Sequence, residues 1–149
     1  MTLHQGWNLF GVPFDPKTSS VLDALGENMT HISALFGYDN GIWTYWIRGM
    51  PSTLNNFKCG KGYWANAQQG FSLSLRGTDG AASVLKAGWN LIATNTTTSV
   101  PLEDYLSGVD WNYICTWDSV SSRWLYNIRG IGGDPHDMAP GMGYWVQVP

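Results

Sequence analysis

The chain has 149 residues, 14% of them aromatic with 9 Trp, and a formal net charge of −3 from 8 Lys and Arg against 11 Asp and Glu. No apolar run reaches the roughly 18 residues that a membrane-spanning helix needs. The basic residues are few and scattered, which excludes the clustered Lys and Arg of a nucleic-acid-binding surface. The composition therefore predicts neither nucleic-acid binding nor membrane insertion.

The first half of the chain has the pattern of short strands with one helix. Strands are predicted at residues 3–13, 31–38, 42–48, 63–67 and 71–76. Hydroxyl side chains beginning at Thr18 offer an N-cap for a short amphipathic helix, which Gly26 ends. An Asn40-Gly41 pair favours a tight hairpin turn between the second and third strands.

The second half is predicted to repeat this order. A helix begins at Pro101 and ends before Gly108, and proline suits the first turn of a helix. Strands are expected at 111–117, 124–129 and 144–148, with period-two alternation of apolar side chains. The strand at 71–76 has no counterpart in this half.

Three motifs support the correspondence of the two halves. They recur in one order at an offset of 81 or 82 positions: Gly-Trp-Asn-Leu at 6–9 and 88–91, Trp-x-Tyr-x-Ile-Arg at 43–48 and 124–129, and Gly-x-Gly-Tyr-Trp at 60–64 and 141–145. Tight turns between neighbouring strands imply antiparallel pairing. We therefore expect a mainly β fold with one short α-helix per repeat, in which two similar antiparallel β-rich subdomains derive from an internal duplication. The first repeat covers 1–76, a linker covers 77–82, and the second repeat covers 83–149.

One face of each hairpin is kept between the halves, which predicts a shared core role for its side chains. The residues of this face are Trp43, Tyr45 and Ile47 in the first half and Trp124, Tyr126 and Ile128 in the second. The opposite face differs more, and we expect it to be the more exposed one.

The order of these motifs resembles a repeat module found in large secreted and cell-surface proteins of bacteria and archaea. The resemblance rests on residues 6–9 and 60–64 and on their counterparts 88–91 and 141–145. Modules of this kind often stand in tandem beside adhesive, polysaccharide-acting or stalk-like domains. The resemblance implies an extracellular or cell-surface location, and it supplies no catalytic residue. Since the first motif begins five residues after Met1, we also expect the chain to be a piece of a longer protein.

Four residues are candidates for ligand binding: Trp46, Arg48, Trp117 and Arg129. Trp46 and Trp117 have no identical counterpart in the other half, and the two arginines lie on the face that differs between the halves. An exposed indole offers a flat apolar face and an N–H donor to a sugar ring or to another protein. An arginine donates a planar fork of hydrogen bonds. The alternatives are simple packing for the indole and an ordinary surface charge for the arginines.

No enzyme motif stands out, since neither Gly-x-Ser-x-Gly nor His-Glu-x-x-His occurs. Cys59 and Cys115 do not align with each other, so they are either unpaired thiols or one bridge between the halves. Residues 134–137, Asp-Pro-His-Asp, are either a solvated loop tip or the centre of a small hydrolase. We expect no cofactor, no metal site and no catalytic residue.

These observations favour a non-catalytic extracellular binding or adhesion module that binds carbohydrate through aromatic residues. Its partner would be a polysaccharide or another cell-surface component. The alternative is a structural spacer or a self-assembly module that packs against its own kind. A small hydrolase is the third hypothesis.

Overall fold

The structure is a computed structural model that describes every residue from Met1 to Pro149. It is mainly β, with 44% of the residues in strands and 10% in helices. The elements of the first half are β1 (Thr2–Leu3), β2 (Gly6–Gly11), β3 (Asp15–Pro16), α1 (Val21–Leu25), a 3-10 helix (Gly26–His31), β4 (Ile32–Asp39), β5 (Ile42–Ile47), β6 (Gly62–Ala67), β7 (Phe71–Ser72) and β8 (Gly77–Thr78).

The second half continues with the same kinds of element. They are β9 (Gly88–Ile92), β10 (Val100–Pro101), α2 (Leu102–Tyr105), β11 (Tyr113–Asp118), β12 (Arg123–Ile128), β13 (Gly132–Gly133), β14 (Asp137–Met138) and β15 (Tyr144–Val148). None of the helices has the length and apolar character that crossing a bilayer requires.

Each half contributes one main antiparallel sheet, and the two sheets have the same strand order. The first is ordered β2-β6-β4-β5, and the second is ordered β9-β15-β11-β12 with β13 added at its edge. The register also corresponds, because Leu9 lies opposite Trp64 in the first sheet and Leu91 lies opposite Trp145 in the second. The prediction of a mainly β chain with antiparallel sheets is confirmed.

Both helices are very short, and local capping explains the bounds of the first. The Ser20 hydroxyl accepts a hydrogen bond from the backbone N of Asp23 at 3.5 Å, and Gly26 ends α1 at a φ of 52°. The second helix starts directly after Pro101, as proline at a helix start favours. These helices and the loops around them cover one face of each sheet.

Two predicted strands are shorter than expected. Residues 3–13 divide into β1 and β2, because Asn8 bonds back to the chain between them. Its Oδ1 accepts from His4 N at 2.8 Å and its Nδ2 donates to His4 O at 2.8 Å. Of residues 71–76 only Phe71–Ser72 is a strand, since its partner β1 is itself two residues long.

The Gly-Trp-Asn-Leu motif has the same local structure in both halves. Asn90 Oδ1 accepts from Lys86 N at 2.9 Å and Nδ2 donates to Lys86 O at 2.8 Å, as Asn8 does in the first half. The glycines that precede, Gly6 and Gly88, have φ values of 95° and 96°, which other residues rarely adopt. The motif therefore closes the turn that leads into the edge strand of each sheet.

The Gly-x-Gly-Tyr-Trp motif places its second glycine where the two sheets approach closely. A Cβ on Gly62 would stand 2.9 Å from Leu91 Cδ1, and a Cβ on Gly143 would stand 2.9 Å from Leu9 Cγ. These distances leave no room for a side chain, and they are equivalent in the two halves. Both leucines are buried, at 3% and 2% exposure for Leu9 and Leu91.

The tyrosine of the same motif points into the core of its own half. The Tyr63 hydroxyl accepts a hydrogen bond from Lys58 N at 2.8 Å, and the Tyr144 hydroxyl accepts one from Ala139 N at 2.7 Å. Burial raises the pKa of both phenols above the ordinary value. The tyrosines therefore stay protonated and anchor the loop before each strand.

Each half has its own hydrophobic core on the helix-covered face of its sheet. In the first, Val21 and Leu25 of α1 are buried with Leu35 of the sheet. The second core is built around the buried Trp111 and Ile114. The two cores are separate clusters, so the junction between the sheets is a third packed region.

The prediction that the shared hairpin face forms the core is wrong, because none of its six residues is fully buried: Trp43, Tyr45, Ile47, Trp124, Tyr126 and Ile128. Trp43 is 49% exposed and Trp124 is 45% exposed. The two faces are reversed relative to expectation. Trp46 packs against the first core, and Asn127 is buried at the equivalent position in the second half. The helices and loops cover the face that differs between the halves.

The two halves meet through contacts that are equivalent when the halves are exchanged. Gly11 N donates to Gly141 O at 3.0 Å, and Ala93 N donates to Gly60 O at 2.9 Å. Gly11 aligns with Ala93, and Gly60 aligns with Gly141. Such reciprocal contacts are those of an approximate two-fold axis.

The predicted linker, residues 77–82, is attached to both halves. Its first two residues form β8 and pair with β3. Asn95 Nδ2 of the second half donates to Gly80 O at 2.9 Å. The connection is therefore part of the folded body.

Candidate functional site

Aromatic side chains of both sheets form a half-exposed cluster at the junction of the two halves. Its members are Trp7, Phe36, Tyr38, Trp43 and Trp64 of the first half and Trp89, Trp117, Trp124 and Trp145 of the second. Trp7 is 43% exposed and Trp89 is 48% exposed. Contiguous apolar surface of this kind marks interaction sites on folded proteins.

The rings of the cluster contact one another at steep angles. The ring centroids of Trp64 and Trp124 lie 5.6 Å apart, and those of Trp145 and Trp43 lie 5.7 Å apart. The two pairs are equivalent when the halves are exchanged. Edge-to-face packing is a favoured arrangement of aromatic pairs. Since the rings do not stack, parts of their flat faces stay open to solvent.

The first aromatic cleft has a volume of about 510 Å³. Six aromatic side chains line it: Trp7, Phe36, Trp43, Tyr45, Trp64 and Trp117. The volume falls within the roughly 300–1,000 Å³ that is common for ligand pockets. Trp117 belongs to the second half, and its Nε1 donates to the backbone O of Trp7 at 3.0 Å. This cleft therefore requires both halves.

The second aromatic cleft is the counterpart of the first and has a volume of about 380 Å³. It is lined by Tyr38, Trp43, Trp89, Cys115, Trp124 and Trp145. Trp43 lines both clefts, so the two are neighbours that share a wall. No charged side chain lines either one.

One position changes the chemistry of the second cleft. Cys115 takes the place that Phe36 has in the first cleft, since both pair with the tryptophan of Gly-x-Gly-Tyr-Trp. Burial raises the pKa of the Cys115 thiol to about 11. The side chain is therefore a neutral thiol at physiological pH, and it behaves as a small apolar wall.

A polar groove of about 440 Å³ adjoins the second cleft and shares Tyr38 and Trp89 with it. In this groove Lys61 Nζ lies 2.8 Å from Asp39 Oδ1 as an ion pair. Lys86 Nζ donates to the Asn40 side chain. The ion pair neutralises the ammonium of Lys61, and the second cleft itself stays uncharged.

The structure places Trp117 in the first cleft but separates the other three predicted ligand-binding residues from both clefts. Trp46 packs against the first core. Arg48 Nη2 donates to Met29 O and to Ile32 O, at 2.6 Å each, and its guanidinium lies 6.0 Å from the Trp46 ring. Arg48 therefore holds the end of the 3-10 helix against the sheet.

Arg129 has an equivalent structural setting in the second half. Its Nη1 lies 2.8 Å from Asp110 Oδ1, and its guanidinium lies 5.7 Å from the ring of Trp111. Sequence reasoning missed Trp43 and Trp124 as cleft residues, because their repetition in the two halves was interpreted as a core role. The nearby repeated glycines were a signal of close approach between the sheets.

The Asp-Pro-His-Asp loop lies apart from the clefts. His136 Nε2 is 3.3 Å from Asp134 Oδ1, and their side chains are 74% and 66% exposed. No group of three or more His, Cys, Asp and Glu side chains in the structure could hold a metal ion. Cys59 and Cys115 are both free thiols, so the bridge between the halves does not form.

No family model matches this chain, and no curated protein and no solved structure matches it significantly. Function must therefore be inferred from the chemistry of the surface. The aromatic clefts are shallow, open and apolar, and they are the surfaces on which such an inference can be built.

Proposed function

We propose that the protein is a non-catalytic binding module of a secreted or cell-surface protein and that its aromatic clefts bind neutral carbohydrate. One observation carries the proposal: aromatic side chains line the clefts and remain half-exposed, as Trp7 at 43% and Trp89 at 48% illustrate. Leaving such side chains in water forgoes the free energy of burying them, about 25 cal/mol per Å² of apolar surface. A ligand that covers them recovers this free energy.

The chemistry of the clefts suits a pyranose ring. One face of such a ring presents C–H groups, which pack on an indole, while its hydroxyls point outward to water or to polar atoms at the rim. The surface of both clefts is almost entirely apolar, so it would hold the ring by packing on its C–H face and would leave the hydroxyls to water. A charged ligand finds no counter-charge among the side chains that line the clefts.

A single cleft should bind weakly. Each favourable aromatic contact contributes about 0.5–1.5 kcal/mol beyond area burial. Useful affinity would come from several linked sites, because linkage turns later binding events into intramolecular ones. The resemblance to tandem modules of surface proteins fits such a use.

We also propose that the two halves derive from an internal duplication. Support comes from the nearly constant spacing of the three motifs, 81 or 82 positions, the common strand order and the reciprocal hydrogen bonds at the junction. A single half would leave its aromatic face and its buried junction leucine, Leu9 or Leu91, in water. An ancestor with one half would therefore have needed a second copy to cover that face.

Binding can be tested with soluble neutral β-glucan, mannan and galactan by affinity electrophoresis and calorimetry. We expect at least one of them to retard the wild type and Trp7→Ala to weaken that binding. Ile131→Ala is the matched control, because Ile131 is 82% exposed and lines neither cleft. The proposal is wrong if none of the glycans binds, or if Trp7→Ala binds as tightly as the control.

Self-assembly is the second candidate, and the half-exposed tryptophans favour it as well, since another copy could cover them. Sedimentation velocity over a range of protein concentrations separates the two functions. A concentration-dependent dimer that Trp7→Ala abolishes, together with no glycan binding, would favour assembly. A monomer at all concentrations would exclude it.

A further inference from the structure

We infer that the two aromatic clefts act as one bivalent site, which a single extended polysaccharide chain occupies along its length. The inference rests on the proposed function, because it specifies the length of the carbohydrate that the clefts bind. It predicts that the clefts bind internal sugar units of a polymer and not a terminal sugar.

The clefts present nearly the same groups twice. Five of the six residues that line the second cleft have an equivalent in the first, in the order second-first: Trp89 and Trp7, Cys115 and Phe36, Trp124 and Trp43, Trp145 and Trp64, Tyr38 and Trp117. The sixth, Trp43, lines both clefts, and Tyr45 lines the first cleft alone. Each cleft also takes walls from the opposite half: Trp117 in the first cleft, and Tyr38 and Trp43 in the second. A repeating polymer is the kind of ligand that offers the same chemical unit to two equivalent clefts.

Trp43 joins the clefts into one surface. Its ring centroid lies 6.5 Å from that of Phe36 in the first cleft and 5.7 Å from that of Trp145 in the second. A short oligosaccharide can occupy one cleft, whereas a longer chain that leaves one cleft passes Trp43 and enters the other. The approximate two-fold relation reverses the direction of the second cleft relative to the first. Stacking tolerates this reversal, because an apolar ring face has no donor or acceptor that must match the chain direction.

The lining of the clefts favours an uncharged occupant, because it contains no charged side chain. The ion pair of Lys61 and Asp39 lies in the adjoining groove and satisfies both partners at 2.8 Å. The ammonium of Lys86 in the same groove has only the neutral Asn40 side chain as a partner, so the groove can attract an acidic group, whereas neither cleft has a charged side chain to do so. An extended peptide would need partners for its backbone N–H and C=O groups, which aromatic walls do not supply. A neutral polysaccharide needs neither a counter-charge nor partners for a peptide backbone.

The test compares short and long ligands on matched variants. Wild type, Trp7→Ala, Trp89→Ala and Trp43→Ala are titrated by calorimetry with short oligosaccharides and with long chains of whichever neutral glycan the wild type retains. Trp7 lines only the first cleft, Trp89 only the second, and Trp43 both. Ile131→Ala is again the control, and circular dichroism reports whether each variant is folded.

Short oligosaccharides should bind the wild type at two sites, and Trp7→Ala or Trp89→Ala should each leave one. Long chains should bind the wild type at one chain per protein and at least about tenfold more tightly, since linked sites gain affinity through effective concentration. Trp7→Ala and Trp89→Ala should each remove this gain, and Trp43→Ala should weaken both sites.

Two results would overturn the inference and remain distinguishable from each other. If short and long chains bind the wild type with equal affinity, or if Trp89→Ala binds long chains like the control, carbohydrate binding stands but the bivalent site is refuted. If no neutral glycan binds the wild type at all, the proposed function itself fails, and the bivalent site fails with it.

Discussion

Adding a methyl group to Gly143 should loosen the junction between the two halves. A Cβ there would stand 2.8 Å from the backbone O of Phe10 and 2.9 Å from Leu9 Cγ, whereas ordinary contacts are 3.4–4 Å. The strand of Phe10 would have to move by roughly half an ångström, because a backbone oxygen cannot swing away like the end of a side chain. Gly62→Ala should loosen the junction in the same way as Gly143→Ala, since its Cβ would stand 3.0 Å from Ile92 O.

Overpacking of a close contact costs about 1–3 kcal/mol. For a chain of this size each kcal/mol lowers the melting temperature by about 2–4 °C. Gly143→Ala should therefore melt roughly 2–12 °C below the wild type, and its tryptophan fluorescence should shift as the aromatic cluster opens.

Gly70→Ala is the matched control for this prediction. The nearest atom to its Cβ would be Leu3 O at 3.4 Å, an ordinary contact, and the residue lies outside the junction. Differential scanning calorimetry of the three variants provides the measurement. Equal melting temperatures for Gly143→Ala and Gly70→Ala would refute the close approach of the two sheets.

Four further predictions concern stability and reactivity. Asn8→Ala should cost about 1–3 kcal/mol in chemical denaturation, because it leaves the partly buried turn at His4 without its hydrogen bonds. Trp46→Ala, which opens a gap at the first core, should lower the free energy of unfolding by about 3 kcal/mol, and the half-exposed Trp124→Ala by clearly less. In a Cys59→Ser background, Cys115 should react with iodoacetamide slowly until the pH approaches its pKa of about 11. Because burial keeps the Cys115 proton in the folded state to higher pH than in the unfolded chain, the free energy of unfolding should fall as the pH rises above 9.0, the ordinary thiol pKa.

Local features of the fold were predictable because neighbouring residues determine them. The Asn40-Gly41 turn forms with φ values of 52° and 77°, as a tight hairpin turn requires. Serine capping and the glycine stop of the first helix are also local. The β4–β5 and β11–β12 hairpins follow from short connections, whereas the central places of β6 and β15 depend on pairing with strands distant in sequence.

The inward face of each sheet was not predictable from alternation, because both faces of β5 carry tryptophan. Trp43 and Trp46 are three positions apart in the same strand. Because this number is odd, their side chains lie on opposite faces of the sheet. What decides between the faces is the side on which α1 and the long loops dock, and this depends on contacts distant in sequence. Trp117 was predicted to bind ligand because it has no identical counterpart in the other half. It lies in the first cleft for a different reason. Its strand pairing places it beside Trp124, across the junction from Trp64.

The repetition of the tryptophans follows from the way the halves are joined. A residue repeated in a core is constrained only by contacts within its own half. Trp64 and Trp145, in contrast, contact aromatic rings of the opposite half. Changing either one would therefore alter the junction and the wall of a cleft together. Because both clefts take walls from both halves, neither half could form a cleft alone. Assembly of the two halves and formation of the proposed site are consequently one event, and this explains why Trp7, Trp43 and Trp64 recur as Trp89, Trp124 and Trp145 while the face over each core varies.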